Sequence, residues 1–216
     1  MSKCAVILSG CGVYDGSEIH EASLLSYFLD LNNVQIEYLG IDQIQADCID
    51  HNSSSAVSSQ ERNCLIESAR IARGPVKNLR DAVADTYDFA ILPGGFGAAK
   101  NLSSFAQDKE NLSVNSDLER FLIEMNNQKK ALGFICITPV IAAKLFKGVT
   151  CTLGLDQQNL DTLKKIGANA VQANYDDVVV DNAFKIYSTP AYMIDASISK
   201  IAEGIKSLVE LINTND

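Results

Sequence analysis

The chain has few residues that bind soft metals and none spaced for it. Six cysteines (Cys4, Cys11, Cys48, Cys64, Cys136 and Cys151) are spread over 216 residues without a Cys-x-x-Cys pair, and His20 and His51 are the only histidines. A zinc centre or a disulfide framework is therefore not expected. Clusters of lysine and arginine are also missing, and the net charge is −9. Partners that require counterion release, nucleic acid or an anionic membrane surface, are not expected. No apolar run approaches the ~20 residues of a transmembrane helix, and Met1 to Gly10 carries too short an apolar run for a signal peptide. The expectation is a soluble, cytoplasmic, single domain over 1–216, a length that buries an ordinary core.

Short apolar runs alternate with segments of helical period. Lys3 to Ser9, Val34 to Leu39 and Phe89 to Leu92 read as strands, the first and third apolar enough for burial on both faces of a parallel sheet. Helices are expected from Glu18 to Asp30 with Ser17 as N-cap, over Leu65 to Ala72 and Val76 to Ala84, and from Asn115 to Asn127. Residues 42–63 are polar and read as a surface excursion containing a short hairpin, with His51 an exposed residue. Thr150 to Leu155, a helix over Leu160 to Ile166, Val178 to Val180, Lys185 to Ser188 and a final helix from Ser197 to Ile212 complete the pattern. Alternating strands and helices predict a doubly wound α/β sheet with helices on both faces.

Gly10, Gly12 and Gly16 lie between the first strand and the first helix, but their spacing is not G-x-G-x-x-G and no Lys-Ser/Thr follows. A phosphate cradle is therefore not expected.

The run Ala131 to Lys144 points to chemistry. An apolar strand ends at Cys136 and restarts as a helix over Ile137 to Lys144 with Pro139 in its first turn. A sharp strand-to-helix turn strains the turn residue, lifts its side chain clear of the sheet and sets free N–H groups and the helix dipole beside it. The expected result is a thiol of lowered pKa. The competing reading is an inert buried cysteine, a common state of this residue. A second stretch, Pro93 to Leu102, favours the reactive reading: Gly94 and Gly95 let a backbone N–H face a ligand. With the N–H of Ile137 it would form an oxyanion hole. Glu18 and Glu21, at the start of the first helix, are both explained by the helix dipole alone.

With Gly133-Phe-Ile-Cys136 and Pro93 to Leu102 in view, the chain resembles the class I glutamine-amidotransferase-like superfamily, which includes the Parkinson's-associated deglycase proteins and PfpI proteases. It is most similar to the ElbB branch, known as isoprenoid-biosynthesis proteins and glyoxalases. Ser9 to Ala22, Glu67 to Gly74 and Thr189 to Ala196 carry the likeness further. The resemblance implies a flavodoxin-like fold, Cys136 as nucleophile and a glutamate after the first strand beside it. Ungapped alignment gives that place to Glu21, with Glu18 as second choice. A triad histidine is expected after the next strand, but Val149 to Asp156 contains none. A glutaminase is therefore not expected, since the cysteine lacks its base. His20 could stand in, yet it neighbours Glu21 on a helix and points about 100° away.

The implied activity is a cofactor-free, metal-free glyoxalase acting on glyoxal and methylglyoxal, with Gly94, Gly95 and Ile137 around the oxyanion and a homodimer by family analogy. The alternative is a redox-responsive thiol protein accessory to isoprenoid metabolism, since exposed low-pKa cysteines are the ones that oxidise.

Overall fold

In the computed structural model, residues 1–214 are described. Seven strands form the central sheet, in the order Val179–Asp181, Ile186–Thr189, Ala131–Ile135, Phe89–Leu92, Lys3–Leu8, Gln35–Gly40 and Lys77–Asn78. All neighbours pair in parallel except Val179–Asp181, which runs antiparallel to Ile186–Thr189 at one edge. This is the expected doubly wound, flavodoxin-like α/β fold.

The central strands Lys3–Leu8, Phe89–Leu92 and Ala131–Ile135 read as nearly continuous apolar runs because each buries both its faces. Along Lys3–Leu8, Ala5 and Ile7 join one core while Cys4, Val6 and Leu8 join the other. The first core packs Phe121, Leu122 and Met125 of the Ser116–Asn127 helix and Val140 to Ala143 of Pro139–Leu145. The second packs Leu25 and Leu29 of Ile19–Leu31 against Ile205, Leu208 and Ile212 of Ile198–Thr214. Alternate residues of one strand thus fill opposite layers, as the pleat requires.

Four expectations are corrected. The first helix is capped by Glu18, whose carboxylate accepts the Glu21 N–H at 2.6 Å; Ser17 instead accepts from Ser9 N–H. Val76 to Ala84 is not a helix. Lys77–Asn78 extends the sheet beside Leu39 and Gly40, and the Asn78 side chain accepts from Arg80 N–H, turning the chain into short 3-10 segments. The apolar residues Val76, Leu79, Ala82 and Val83 mimic a helical period here. Thr150 to Leu155 does not enter the main sheet: only Thr150–Cys151 pairs, with Asn169–Ala170. Its backbone is met by side chains of the last two strands at one end of the main sheet, Asp181 at Thr150 N–H and Ser188 at Thr152 N–H. The helix after Cys136 begins at Pro139, since residues 136–138 form the turn. The 42–63 excursion does contain a hairpin, Ile49–Asp50 with Ser55–Ala56.

Candidate active site

Four parallel strands, Lys3–Leu8, Phe89–Leu92, Ala131–Ile135 and Ile186–Thr189, deliver the site at their carboxyl ends, where open α/β sheets hold ligands. The Ala131–Ile135 strand ends in Cys136, whose φ of 63° is left-handed, a conformation an L-residue keeps only when its surroundings impose it. They do so from both sides: Cys136 N–H donates to the Thr189 carbonyl at 3.0 Å, and the Thr138 hydroxyl donates to the Ile135 carbonyl at 2.8 Å.

The Phe89–Leu92 strand runs into Gly94 and Gly95. A Cβ on Gly94 would lie 2.4 Å from Cys136 Cβ and 2.7 Å from Glu21 Oε2, so glycine is what admits the thiol to this position. Gly95 has φ 98°, a conformation open to glycine, and its N–H and that of Ile137 lie near enough to the Cys136 sulfur to pull its pKa down. The loops after Lys3–Leu8 and Phe89–Leu92 are joined by backbone hydrogen bonds: Glu18 N–H to the Gly94 carbonyl at 2.9 Å, Phe96 N–H to the Val13 carbonyl at 2.7 Å and Gly97 N–H to the Gly16 carbonyl at 2.9 Å.

Glu21 is fully buried against the sulfur. Its Oε2 accepts the Gly94 N–H at 2.8 Å and its Oε1 accepts the Tyr192 N–H at 3.3 Å. Burial first, and then the charge of Glu18, push its pKa up to about 8. Cys136 is pushed up as well, by burial and by the Glu21 charge, against the opposing pull of the Gly95 and Ile137 N–H groups. The expectation of an exposed, low-pKa thiol is corrected: Cys136 as a residue is 8% exposed, and desolvation beside a carboxyl outweighs the two N–H donors. The thiol and carboxyl are a coupled pair that holds its protons at neutral pH and shares what it loses above it.

Above the sulfur lies a cleft of about 380 Å³. Cys136, Gly95, Glu18 and Tyr192 line it, and Val13, Phe96, Ile137 and Met193 give it apolar walls.

The structure brings Cys136, Glu21, Gly95 and Ile137 together, with Glu18 beside them. It separates two others from the roles the sequence suggested. The Gly94 N–H is taken by Glu21, leaving Gly95 and Ile137 as the donors at the sulfur. His20 is exposed and its Nδ1 lies 2.8 Å from the Tyr192 hydroxyl, not at the thiol. His51 sits by Asp15, 3.8 Å from its carboxylate. Tyr192, Phe96, Val13 and Met193 went unassigned by sequence reasoning. A signal existed for Tyr192 and Met193, which follow directly on the carboxyl end of a parallel strand. Among the described residues, no three His, Cys, Asp or Glu side chains converge as metal ligands.

A cysteine on the elbow of a doubly wound sheet, with a carboxyl packed against it, defines the chain as a class I glutamine-amidotransferase-like domain. Comparison with known proteins narrows this. The chain is 40% identical to the mitochondrial ES1 protein homolog of Rattus norvegicus, over 98% of this chain and 83% of the relative. It is 39% identical to the mitochondrial glutamine amidotransferase-like class 1 domain-containing protein 3 of Homo sapiens, over 98% and 82%. The crystal structure of an Ehrlichia chaffeensis isoprenoid biosynthesis protein with amidotransferase-like domain superposes with a TM-score of 0.91 at 33% identity, covering 99% of this chain and 100% of that one. Drosophila melanogaster DJ-1beta shares the fold, with a TM-score of 0.60 at 16% identity over 98% and 91%. No family model matches the chain. The chain belongs to the ES1 family of glutamine amidotransferase-like class 1 domain proteins.

The cytoplasmic expectation is corrected by the Rattus norvegicus and Homo sapiens relatives, which are mitochondrial proteins by name, as is the Danio rerio ES1 protein at 30% identity over 97% of this chain and 84% of that protein. An apolar-run criterion detects secretory leaders, whereas mitochondrial address segments are amphipathic and arginine-rich, so the criterion has no bearing on that compartment.

Proposed function

We propose that the chain is a cofactor-free glyoxalase that converts glyoxal, and methylglyoxal, to the 2-hydroxy acid. One observation carries this reading: a buried thiol shares its site with a buried carboxyl of pKa about 8, and two backbone N–H groups converge on the sulfur. In the fraction of sites where Glu21 is ionised, Cys136 Sγ adds to the aldehyde carbon while its proton passes by way of the Glu21 carboxylate to the former carbonyl oxygen, giving a neutral hemithioacetal whose oxygen falls within reach of the Gly95 and Ile137 N–H groups and leaving Glu21 ionised. Glu21 then takes the proton from that carbon and returns it to the neighbouring carbonyl carbon, turning the hemithioacetal into a 2-hydroxy thioester. Water cleaves the thioester and restores the thiol. Glyoxal and water become glycolate with no outside oxidant or reductant. A base titrating near neutral pH is the kind this shuttle needs.

The redox reading has less support, because oxidation selects exposed thiols of low pKa, and Cys136 has neither property. A tie to isoprenoid metabolism rests on the name of the Ehrlichia protein alone.

The deciding experiment is turnover of glyoxal to glycolate by metal-stripped protein, with Cys136→Ala and Glu21→Gln alongside. Loss of turnover in both variants supports the mechanism. Wild-type turnover no higher than that of Cys136→Ala refutes the activity.

A further inference from the structure

Glyoxal is the smallest dicarbonyl, and the cleft is far larger than it needs. At about 380 Å³ the space falls in the range of roughly 300–1,000 Å³ that encloses whole drug-sized ligands. Its walls have a definite chemistry. Phe96 keeps 51% of its surface exposed although it begins a helix fixed by the Phe96 N–H bond to Val13, so its ring is presented at the cleft instead of being packed in either core. Val13, Ile137 and Met193 continue the apolar lining.

The charges are equally one-sided. Glu18 lines the cleft and Glu21 lies just beneath it, while among the described residues no lysine or arginine lines it. Lys100, whose ammonium lies 5.7 Å from the Phe96 ring centroid, is held by the Asp47 carboxylate at 2.7 Å and the Tyr14 carbonyl at 3.0 Å. An anionic substrate would meet the Glu18 carboxylate with no paired cation and the buried Glu21 carboxyl beneath it, and a small polar one would leave the apolar walls wet.

We infer that this site takes uncharged 2-oxoaldehydes carrying an aryl or branched alkyl group that lies against Phe96, and that it discriminates against carboxylate-bearing reagents. The inference rests on the glyoxalase reading for its chemistry and on the cleft for its specificity. Phenylglyoxal and water would give mandelate by the same internal redox: the aldehyde carbon is oxidised to the acid, the ketone carbon is reduced to the carbinol, and the proton passes between them.

The test compares kcat/KM for phenylglyoxal and glyoxal in wild type and Phe96→Ala. The expected phenylglyoxal preference is about tenfold or more, the discrimination an apolar pocket gives to added hydrocarbon, and Phe96→Ala lowers it by about tenfold. A wild-type ratio of one or less, or a ratio that Phe96→Ala leaves unmoved, overturns the inference. Met193→Asp serves the same comparison should Phe96→Ala fail to fold.

A second arm needs no turnover. Cys136 is alkylated with 2-bromoacetophenone or iodoacetate, each rate being normalised to the same reagent on free N-acetylcysteine and corrected for labelling of Cys136→Ala. In each reaction a C–S bond forms, halide leaves and the thiol proton passes to solvent. The expected result is a preference for the aryl ketone of about tenfold or more, reduced in Phe96→Ala. Equal normalised rates overturn the inference. If neither aldehyde turns over while the aryl preference in labelling holds, the glyoxalase reading fails and the specificity of the cleft stands.

Discussion

Tyr192 holds two consecutive residues of one helix in different ways: its backbone N–H donates to Glu21 Oε1 at 3.3 Å, and its phenol oxygen lies 2.8 Å from His20 Nδ1. The buried carboxyl is thereby fixed by main chain, while the imidazole is turned outward and tied only to a phenol at the cleft edge. His20 thus belongs to the support of the site and does not replace the absent triad base.

That division gives the first prediction. Glu21→Gln removes the proton shuttle and should lower kcat on glyoxal by about 10²–10⁴, the usual worth of a positioned acid–base group. His20→Ala should lower it by less than about fivefold, the most that a hydrogen bond worth about 1 kcal/mol could supply. Steady-state kinetics of the two variants checks this; equal losses would make the imidazole part of the proton path.

Glu18 supplies the second. Its charge, after burial, is the next cause of the raised Glu21 pKa. Glu18→Gln keeps a side-chain oxygen to accept the Glu21 N–H and removes that charge. The pH profile of kcat/KM should then rise at a lower pH than in wild type, where the Glu21 carboxyl is pushed up to about 8. A midpoint that stays put in the variant would remove Glu18 from the electrostatics of the site.

The third concerns stability. Glu21 has a folded pKa of about 8 against an ordinary 4.5, so between these values the folded chain keeps a proton that the unfolded chain releases. Stability should therefore be greatest below the unfolded value, fall as pH rises through this window and level off above the folded value, a loss on the order of several kcal/mol. Glu21→Gln should flatten that part of the curve. Urea unfolding midpoints at about pH 5 and about pH 8 test it: wild type should lose more than the variant.

Gly94 supplies the fourth. Any Cβ there would sit 2.4 Å from Cys136 Cβ, an atom with no freedom to swing away. Gly94→Ala should cost about 1–3 kcal/mol by overpacking and abolish activity by displacing the sulfur from Glu21. Thermal unfolding and glyoxal turnover measure the two effects separately.

The parts legible in the sequence were those written in local pattern. Ala5 and Ile7 fill one layer and Val6 and Leu8 the other, so a doubly buried strand appears as an unbroken apolar run. Pro139 after Cys136 marks the elbow, and Gly94-Gly95 marks the close approach. What escaped depends on contacts distant in the chain. The direction of the Cys136 pKa shift follows from burial and from a carboxyl on another element. The Gly94 N–H could not be known to face Glu21, and Tyr192 reaches the site from beyond the last parallel strand. Ser17 looks like a better cap than Glu18 by residue type, but Ser9 claims its hydroxyl.

The bonds joining Glu18 to Gly94, Phe96 to Val13 and Gly97 to Gly16 have a kinetic consequence. With both loops laced to each other and anchored on central strands, neither can fluctuate alone, and their amide protons should exchange with solvent only in openings that also loosen the sheet. The thiol is guarded by the cooperativity of the whole fold, and the cleft meets its ligand as a finished surface.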